Sequence, residues 1–210
     1  KNLVTYQCSL KYQNELRDEL LSNPNSITII GSRLPIYLTG TAFDNKEGGI
    51  EIHEGLKFEF KHIKDEYDFR KGIQVSIIEL LENNNKVILM YPIPAVGWNV
   101  PNKLFHDTPK RYIKEIKKNF NENPVTTSYK VYKERTKESF EIYNQIQHKN
   151  IYRVYPHTVF CNNKIKDRCV THDDKNIFYY DDDHLSSAGS AMVIDLIMKQ
   201  IKKIELELNQ

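Results

Sequence analysis

Three short runs rich in apolar and β-branched residues constrain this chain more than anything else in it: residues 26–30 (SITII), 86–90 (KVILM) and 151–155 (IYRVY). Each is strand-sized and apolar enough to be buried on both faces, as strands inside a parallel sheet are. A helical periodicity precedes each run. Residues 10–21 place Leu16, Leu20 and Leu21 at helical spacing, and residues 69–81 do the same with Ile73, Val75, Ile77, Ile78 and Leu81. Residues 129–147 repeat Tyr132, Phe140, Ile142, Tyr143 and Ile146. A last segment, 187–208, carries Ala188, Met192, Ile194, Leu196, Ile197, Ile201 and Ile204 as its apolar stripe. Such alternation predicts an α/β chain folded as a three-layer α/β/α sandwich around a parallel sheet. A length of 210 residues suits one such domain, spanning 1–210, rather than two.

Charge and hydropathy narrow the function classes. The net charge is +2, and the lysines are interspersed with Asp and Glu rather than gathered in a stripe, which argues against a nucleic-acid partner. No apolar run approaches the ~20 residues that a membrane helix needs. The sequence starts at Lys1 rather than Met, so the natural chain is expected to extend upstream. Residues 41–55, with Gly48-Gly49, read as an exposed loop or a small hairpin.

In an open parallel sheet, ligands collect at the carboxyl ends of the strands. The segments to search are therefore Gly31-Ser32-Arg33, Tyr91-Pro92-Ile93-Pro94 and Pro156-His157. The residues with the clearest chemical meaning lie further on, in Asp181-Asp182-Asp183-His184-Leu185-Ser186. An Asp three residues before a His in a tight turn can accept the Nδ1 hydrogen of that imidazole. The carboxylate then fixes the tautomer and stabilises the imidazolium that forms when Nε2 takes a proton from a hydroxyl. Spacing alone also fits an acidic run placed ahead of a helix start, where carboxylates are favoured. Ser186 or Ser187 is positioned to cap that helix.

Cys161 and Cys169 bracket a polar stretch without Gly or Pro. Their spacing fits either a disulfide-closed loop or two unrelated thiols, and the compartment decides between them. It does not fit a zinc knuckle. Cys8 is left over. The run His172-Asp173-Asp174 lacks the alternation and turn glycine of a calcium loop, so no metal is expected there.

The stretch Phe178-Tyr179-Tyr180-Asp181-Asp182-Asp183-His184-Leu185-Ser186-Ser187-Ala188-Gly189 resembles the closing block of SGNH hydrolase domains fused to membrane acyltransferases that O-acetylate cell-surface polysaccharides. Two earlier stretches resemble the same family in the same order. One is the strand Ile27-Thr28-Ile29-Ile30 running into Gly31-Ser32-Arg33-Leu34-Pro35-Ile36-Tyr37-Leu38-Thr39-Gly40. The other is the proline-rich Tyr91-Pro92-Ile93-Pro94-Ala95-Val96-Gly97-Trp98-Asn99-Val100-Pro101. The resemblance implies an SGNH, flavodoxin-like fold, with Asp181 as orienting acid and His184 as general base. Leu185 and Gly189 become structural members of the block, and Cys161–Cys169 a disulfide. Arg33 is placed beside the site, suited to a carboxylate or a developing oxyanion. Trp98 is either a sugar-stacking platform or a packing anchor.

The implied activity is ester hydrolysis or O-acetyl transfer on a glycan, without a cofactor. The implied setting is extracytoplasmic, beside a membrane acyltransferase domain in the same parent chain. One departure is plain: the family's nucleophile stands in a Gly-Asp-Ser turn, and no Gly-Asp-Ser occurs here. The serine and the first strand are expected upstream of Lys1. Ser32 as a substitute, or a non-catalytic glycan-binding module, are the alternatives.

Overall fold

The computed structural model of the chain describes residues 10–51, 69–106 and 122–209. Its helices are α1 (Leu10–Ser22), α2 (Leu34–Thr39), α3 (Phe69–Glu82), α4 (Val100–His106), α5 (Tyr129–Gln145), α6 (His157–Phe160) and α7 (Ser187–Leu208). Its strands are β1 (Ile27–Gly31), β2 (Lys86–Met90), β3 (Thr126–Ser128), β4 (Ile151–Val154) and β5 (Arg168–Val170). The three predicted strands form one parallel sheet in the order β1-β2-β4, with Ile29 opposite Ile88 and Ile88 opposite Tyr152.

Successive side chains of a strand point to opposite faces, and this divides the core in two. Val87 and Leu89 face a layer built from Ile77, Leu80 and Leu81 of α3 and Ile142 and Tyr143 of α5. Ile88, Tyr152 and Val154 face α7, where Ile204 is fully buried and Leu196, Ile197 and Ile201 pack around it. The α/β chain is thus a parallel sheet between two helical layers, as the alternation predicts.

Local sequence sets the helix ends. Ser128 begins α5 by accepting a hydrogen bond from the Val131 N–H at 3.3 Å, and Ser186 begins α7 by accepting from Gly189 N–H at 3.2 Å. Of the two serines predicted to cap α7, it is Ser186. The chain leaves α3 through Asn84, whose φ of 63° is left-handed, a conformation Asn tolerates. Some predicted stripe residues face water instead: Leu16 on α1, Val75 and Ile78 on α3, and Ile194 on α7. On α7 the buried neighbour is Val193, which shares a face with Ile197 and Ile204 at helical spacing, whereas Ile194 lies about 100° further round.

Residues 41–51 are not the exposed loop suggested by Gly48-Gly49, although a hairpin-like bridge does join Asp44 and Ile50. Phe43, Asn45 and Glu51 are buried. Asn45 Oδ1 accepts from Glu47 and Gly49 N–H, and its Nδ2 donates to the Val96 carbonyl at 2.9 Å, which docks the turn on the proline-rich loop. Residues 52–55 and Cys8 lie outside the described residues.

Cys161 and Cys169 are joined in a disulfide beside the small antiparallel pair β3–β5. On the other side of the molecule, β1 has no partner on its outer edge among the described residues. Ile27 and Ile29, on the face that α7 leaves open, are 39% and 49% exposed.

Candidate active site

At the carboxyl ends of β1 and β2 the chain leaves a cleft of about 390 Å³. Gly31, Ser32 and Arg33 line one side, residues 90–93 the floor, and Asp183, His184 and Leu185 the opposite side. Two of the three searched strand ends therefore meet in the cleft. The third does not: His157 sits in an aromatic cage of Tyr129, Tyr132, Phe140 and Tyr155, with ring centroids 5.6–6.1 Å away. Burial there pushes its pKa down, holding the imidazole neutral.

The acidic block is clamped before it does any chemistry. The Asp182 carbonyl accepts from Val96 N–H at 2.8 Å and Gly97 N–H at 3.2 Å, and the Asp181 carbonyl accepts from Val100 N–H. Gly97 has φ 76° and lies under the Gly49 backbone, so a side chain would be strained there. Tyr179 reaches back with its hydroxyl to the Pro94 carbonyl at 2.7 Å. After the block, Ser186 N–H donates to the Phe178 carbonyl, and Gly189 lies so close that a Cβ there would be 2.1 Å from that oxygen. The two termini of the block are thus held by backbone contacts that fix its turn.

Inside that turn, Asp181 uses both carboxylate oxygens. Oδ1 accepts the backbone N–H of Asp183 at 3.0 Å and of His184 at 2.7 Å, while Oδ2 faces His184 Nδ1 at 2.8 Å. Burial pushes the Asp181 carboxyl up, but those N–H groups and the imidazole outweigh it, and the net shift is downward. The His184 pKa is raised, first by the Asp181 hydrogen bond and then by the charge of Asp183, whose Oδ1 lies 3.1 Å from Nδ1. With Nδ1 engaged, Nε2 is the nitrogen left to exchange a proton. The imidazole is 68% exposed at the cleft, so a substrate can reach it.

Arg33 stands across the cleft in a network of its own. Its guanidinium pairs with Glu51 through Nη2 and with Asp183 Oδ2 through Nη1 at 3.0 Å. Glu51 is also anchored by the Phe43 N–H at 3.0 Å. Asp183 therefore joins Arg33 to His184, and its burial pushes its own pKa up against the pull of both. Two groups of side chains bring metal-ligating atoms within 4.8 Å of one another: Asp181, Asp183 and His184, and Glu51, Asp182 and Asp183. In the second, Arg33 already supplies a cation to Glu51 and Asp183.

Ser32 lines the cleft, but its hydroxyl lies 3.2 Å from the Tyr143 hydroxyl and makes no hydrogen bond to His184. Trp98 does not line the cleft. It packs against the cluster around Val96, Val100 and Phe160, with Lys103 Nζ 5.5 Å from its ring centroid. His172 is spent on backbone: Nε2 accepts from Val125 N–H, and Nδ1 lies 3.1 Å from the Asp173 carbonyl. Glu51, Asp183 and Arg135 line the cleft and were not singled out from sequence. Asp183 stood inside the acidic block, so its neighbours could have flagged it. Nothing near Glu51 or Arg135 in the chain marks them.

The arrangement is an oriented, accessible imidazole over a largely apolar cleft, with a fixed guanidinium nearby. A family model described as "SGNH domain (fused to AT3 domains)" matches residues 2–199. The periplasmic domain of a lipopolysaccharide acetyltransferase from Salmonella ser. Paratyphi A is similar over 91% of this chain, at 16% identity and a TM-score of 0.42. The match spans 62% of that structure's chain. No curated protein matches the chain.

Proposed function

As the chain belongs to the SGNH domains that are fused to AT3 domains, we propose that it is the acyl-handling domain of a larger enzyme that modifies a cell-surface polysaccharide. The reaction is O-acyl transfer to a glycan hydroxyl, or the corresponding ester hydrolysis. A membrane acyltransferase domain in the same parent chain is its partner, and the domain works on the extracytoplasmic side. The Cys161–Cys169 disulfide supports that placement, since such bonds persist in oxidising compartments.

The observation that carries the reading is the Asp181–His184 pair. Asp181 is held by two backbone N–H groups and holds Nδ1 in turn, which presents Nε2 as a general base. His184 takes the proton of a serine that attacks the ester carbonyl and gives it to the departing alcohol, leaving an acyl-serine. It then takes a proton from the glycan hydroxyl or water that attacks the acyl-serine and returns it to the serine as that bond breaks. Asp181 remains ionised and stabilises the imidazolium.

The serine is placed on a strand that pairs with the outer edge of β1. The outer edge of β1, which has no partner among the described residues, and the exposed Ile27 and Ile29 support this, and such a strand would end beside Ser32 and the cleft. Arg33, locked between Glu51 and Asp183, is assigned to hold His184's side of the cleft in register and to face developing negative charge. The test is acetate transfer or release by the parent polypeptide from an O-acetylated glycan. His184→Ala lowers the rate by ~10²–10⁴. Unchanged turnover in that variant, with binding of the glycan retained, leaves a non-catalytic glycan-binding module instead.

A further inference from the structure

The cleft contains a second guanidinium, and its chemistry differs from that of Arg33. Arg33 is paired with two carboxylates. Arg135, on α5, meets only neutral oxygens: Nη1 donates to Thr39 Oγ1 at 2.6 Å and to Thr41 Oγ1 at 3.0 Å, and Nη2 donates to the Thr41 carbonyl at 2.5 Å. Among the described residues no carboxylate pairs with it. Gly40, between the two threonines, has φ 64° and ends α2, which turns both side chains and the Thr41 carbonyl toward the same guanidinium.

Those three bonds use three of the five N–H groups of an arginine. Nε–H has no partner among the described residues and Nη2 has one, and these two nitrogens form the edge of the guanidinium that matches the two oxygens of a carboxylate or phosphate. The charge itself is uncomfortable where it stands. Burial and the nearby charge of Arg33 both disfavour the protonated form, yet an arginine stays protonated in a protein. A half-buried cation held by neutral partners, with a free bidentate edge, gains from an anion arriving in the cleft.

We propose that Arg135, fixed by Thr39 and Thr41, is a subsite for an oxyanion substituent of the substrate, so that the glycan handled in this cleft is acidic. This inference rests on the reading of the cleft as an acyl-glycan site. His184 and Arg135 line the same cleft of about 390 Å³, so the anion and the ester belong to one sugar or to adjacent ones. The shared chemistry is a carboxylate, as in a sugar acid, or a phosphate, as in a phosphorylated glycan.

The test compares matched esters on the parent polypeptide: O-acetylated glucuronic acid, its uncharged methyl ester, and O-acetylated glucose with and without a 6-phosphate. The charged substrate is expected to be preferred by about tenfold or more in KM, the scale of a charge-assisted bidentate contact. Arg135→Gln brings the charged-to-neutral ratio close to one, and Arg135→Lys, which keeps the charge but not the fork, retains part of it. Because the readout is a ratio within one variant, a partial loss of folded protein does not imitate it. Preference for the glucuronate or for the phosphate identifies the source of the anion. A ratio near one in the natural enzyme, or one unmoved by Arg135→Gln, overturns the subsite. Should no ester be turned over, calorimetric binding of glucuronate and glucose 6-phosphate to the same proteins decides the subsite separately. Binding lost in Arg135→Gln keeps it, and absent or unchanged binding rejects it.

Discussion

At His184 one hydrogen bond sets both the tautomer and the charge. Asp181 raises the imidazole pKa above its ordinary value near 6.5, so the base form disappears as the pH falls through that raised value. The acid limb of kcat/KM in the parent enzyme is therefore expected above pH 6.5. Asp181→Asn keeps an oxygen for the two backbone N–H groups but turns an amide N–H toward Nδ1, favouring the wrong tautomer. That variant is expected to lose ~10²–10⁴ in rate while its acid limb moves to lower pH; a limb that stays in place would mean Asp181 does not set the base. The pair therefore contributes most to folding between the two ranges: the imidazole's share is lost as pH rises through its raised pKa, and the Asp181 share is lost as pH falls through its lowered one. Gly189 is the second residue with a sharp consequence. A methyl group there meets the Phe178 carbonyl, so Gly189→Ala is expected to destabilise by ~1–3 kcal/mol, read as a lower Cm in urea. The D-x-x-H turn was legible because its partners are three residues apart. Glu51 and Arg135 were not, because only the tertiary fold brings residues so far apart in sequence to one cleft.

Among the elements, those that carry a long period were readable and the short ones were not. The run that became β2 is apolar because both its faces are covered, β1 and β4 beside it are apolar enough to be read the same way, and α1, α3, α5 and α7 each span three or more turns. β3 and β5 are three residues each, and α2 and α6 are barely one turn or two, too short for periodicity to register. The 41–51 segment forms a hairpin-like turn, one of its two readings, and only its buried side was not legible: Phe43, Asn45 and Glu51 are buried because Asn45 satisfies the turn's backbone internally. The β3–β5 pair carries the disulfide at its side, since Cys169 lies within β5. Replacing Cys161 and Cys169 by Ser is expected to cost ~2–3 kcal/mol. Amide exchange is expected to quicken in β3 and β5 before it does in β2; uniform quickening would show that the bridge supports the whole domain instead.

For the whole molecule, the uneven cover of the sheet matters most. β2 is enclosed on both faces, while β1 has no partner on its outer edge among the described residues and exposes two isoleucines. An apolar edge of this kind pairs with other strands. The 210-residue chain is accordingly expected to self-associate, and Ile29→Lys is expected to lower its mass in light scattering; an unchanged mass places the contact elsewhere. The same edge is where the account locates the strand that brings the nucleophile to His184. The most direct measurement is the rate at which a fluorophosphonate labels the parent polypeptide, with the modified residue mapped by mass spectrometry. One serine is expected to be labelled, outside these 210 residues, at a rate that falls ~10²–10⁴ in His184→Ala. Labelling of Ser32, no labelling at all, or labelling indifferent to His184 would contradict that expectation.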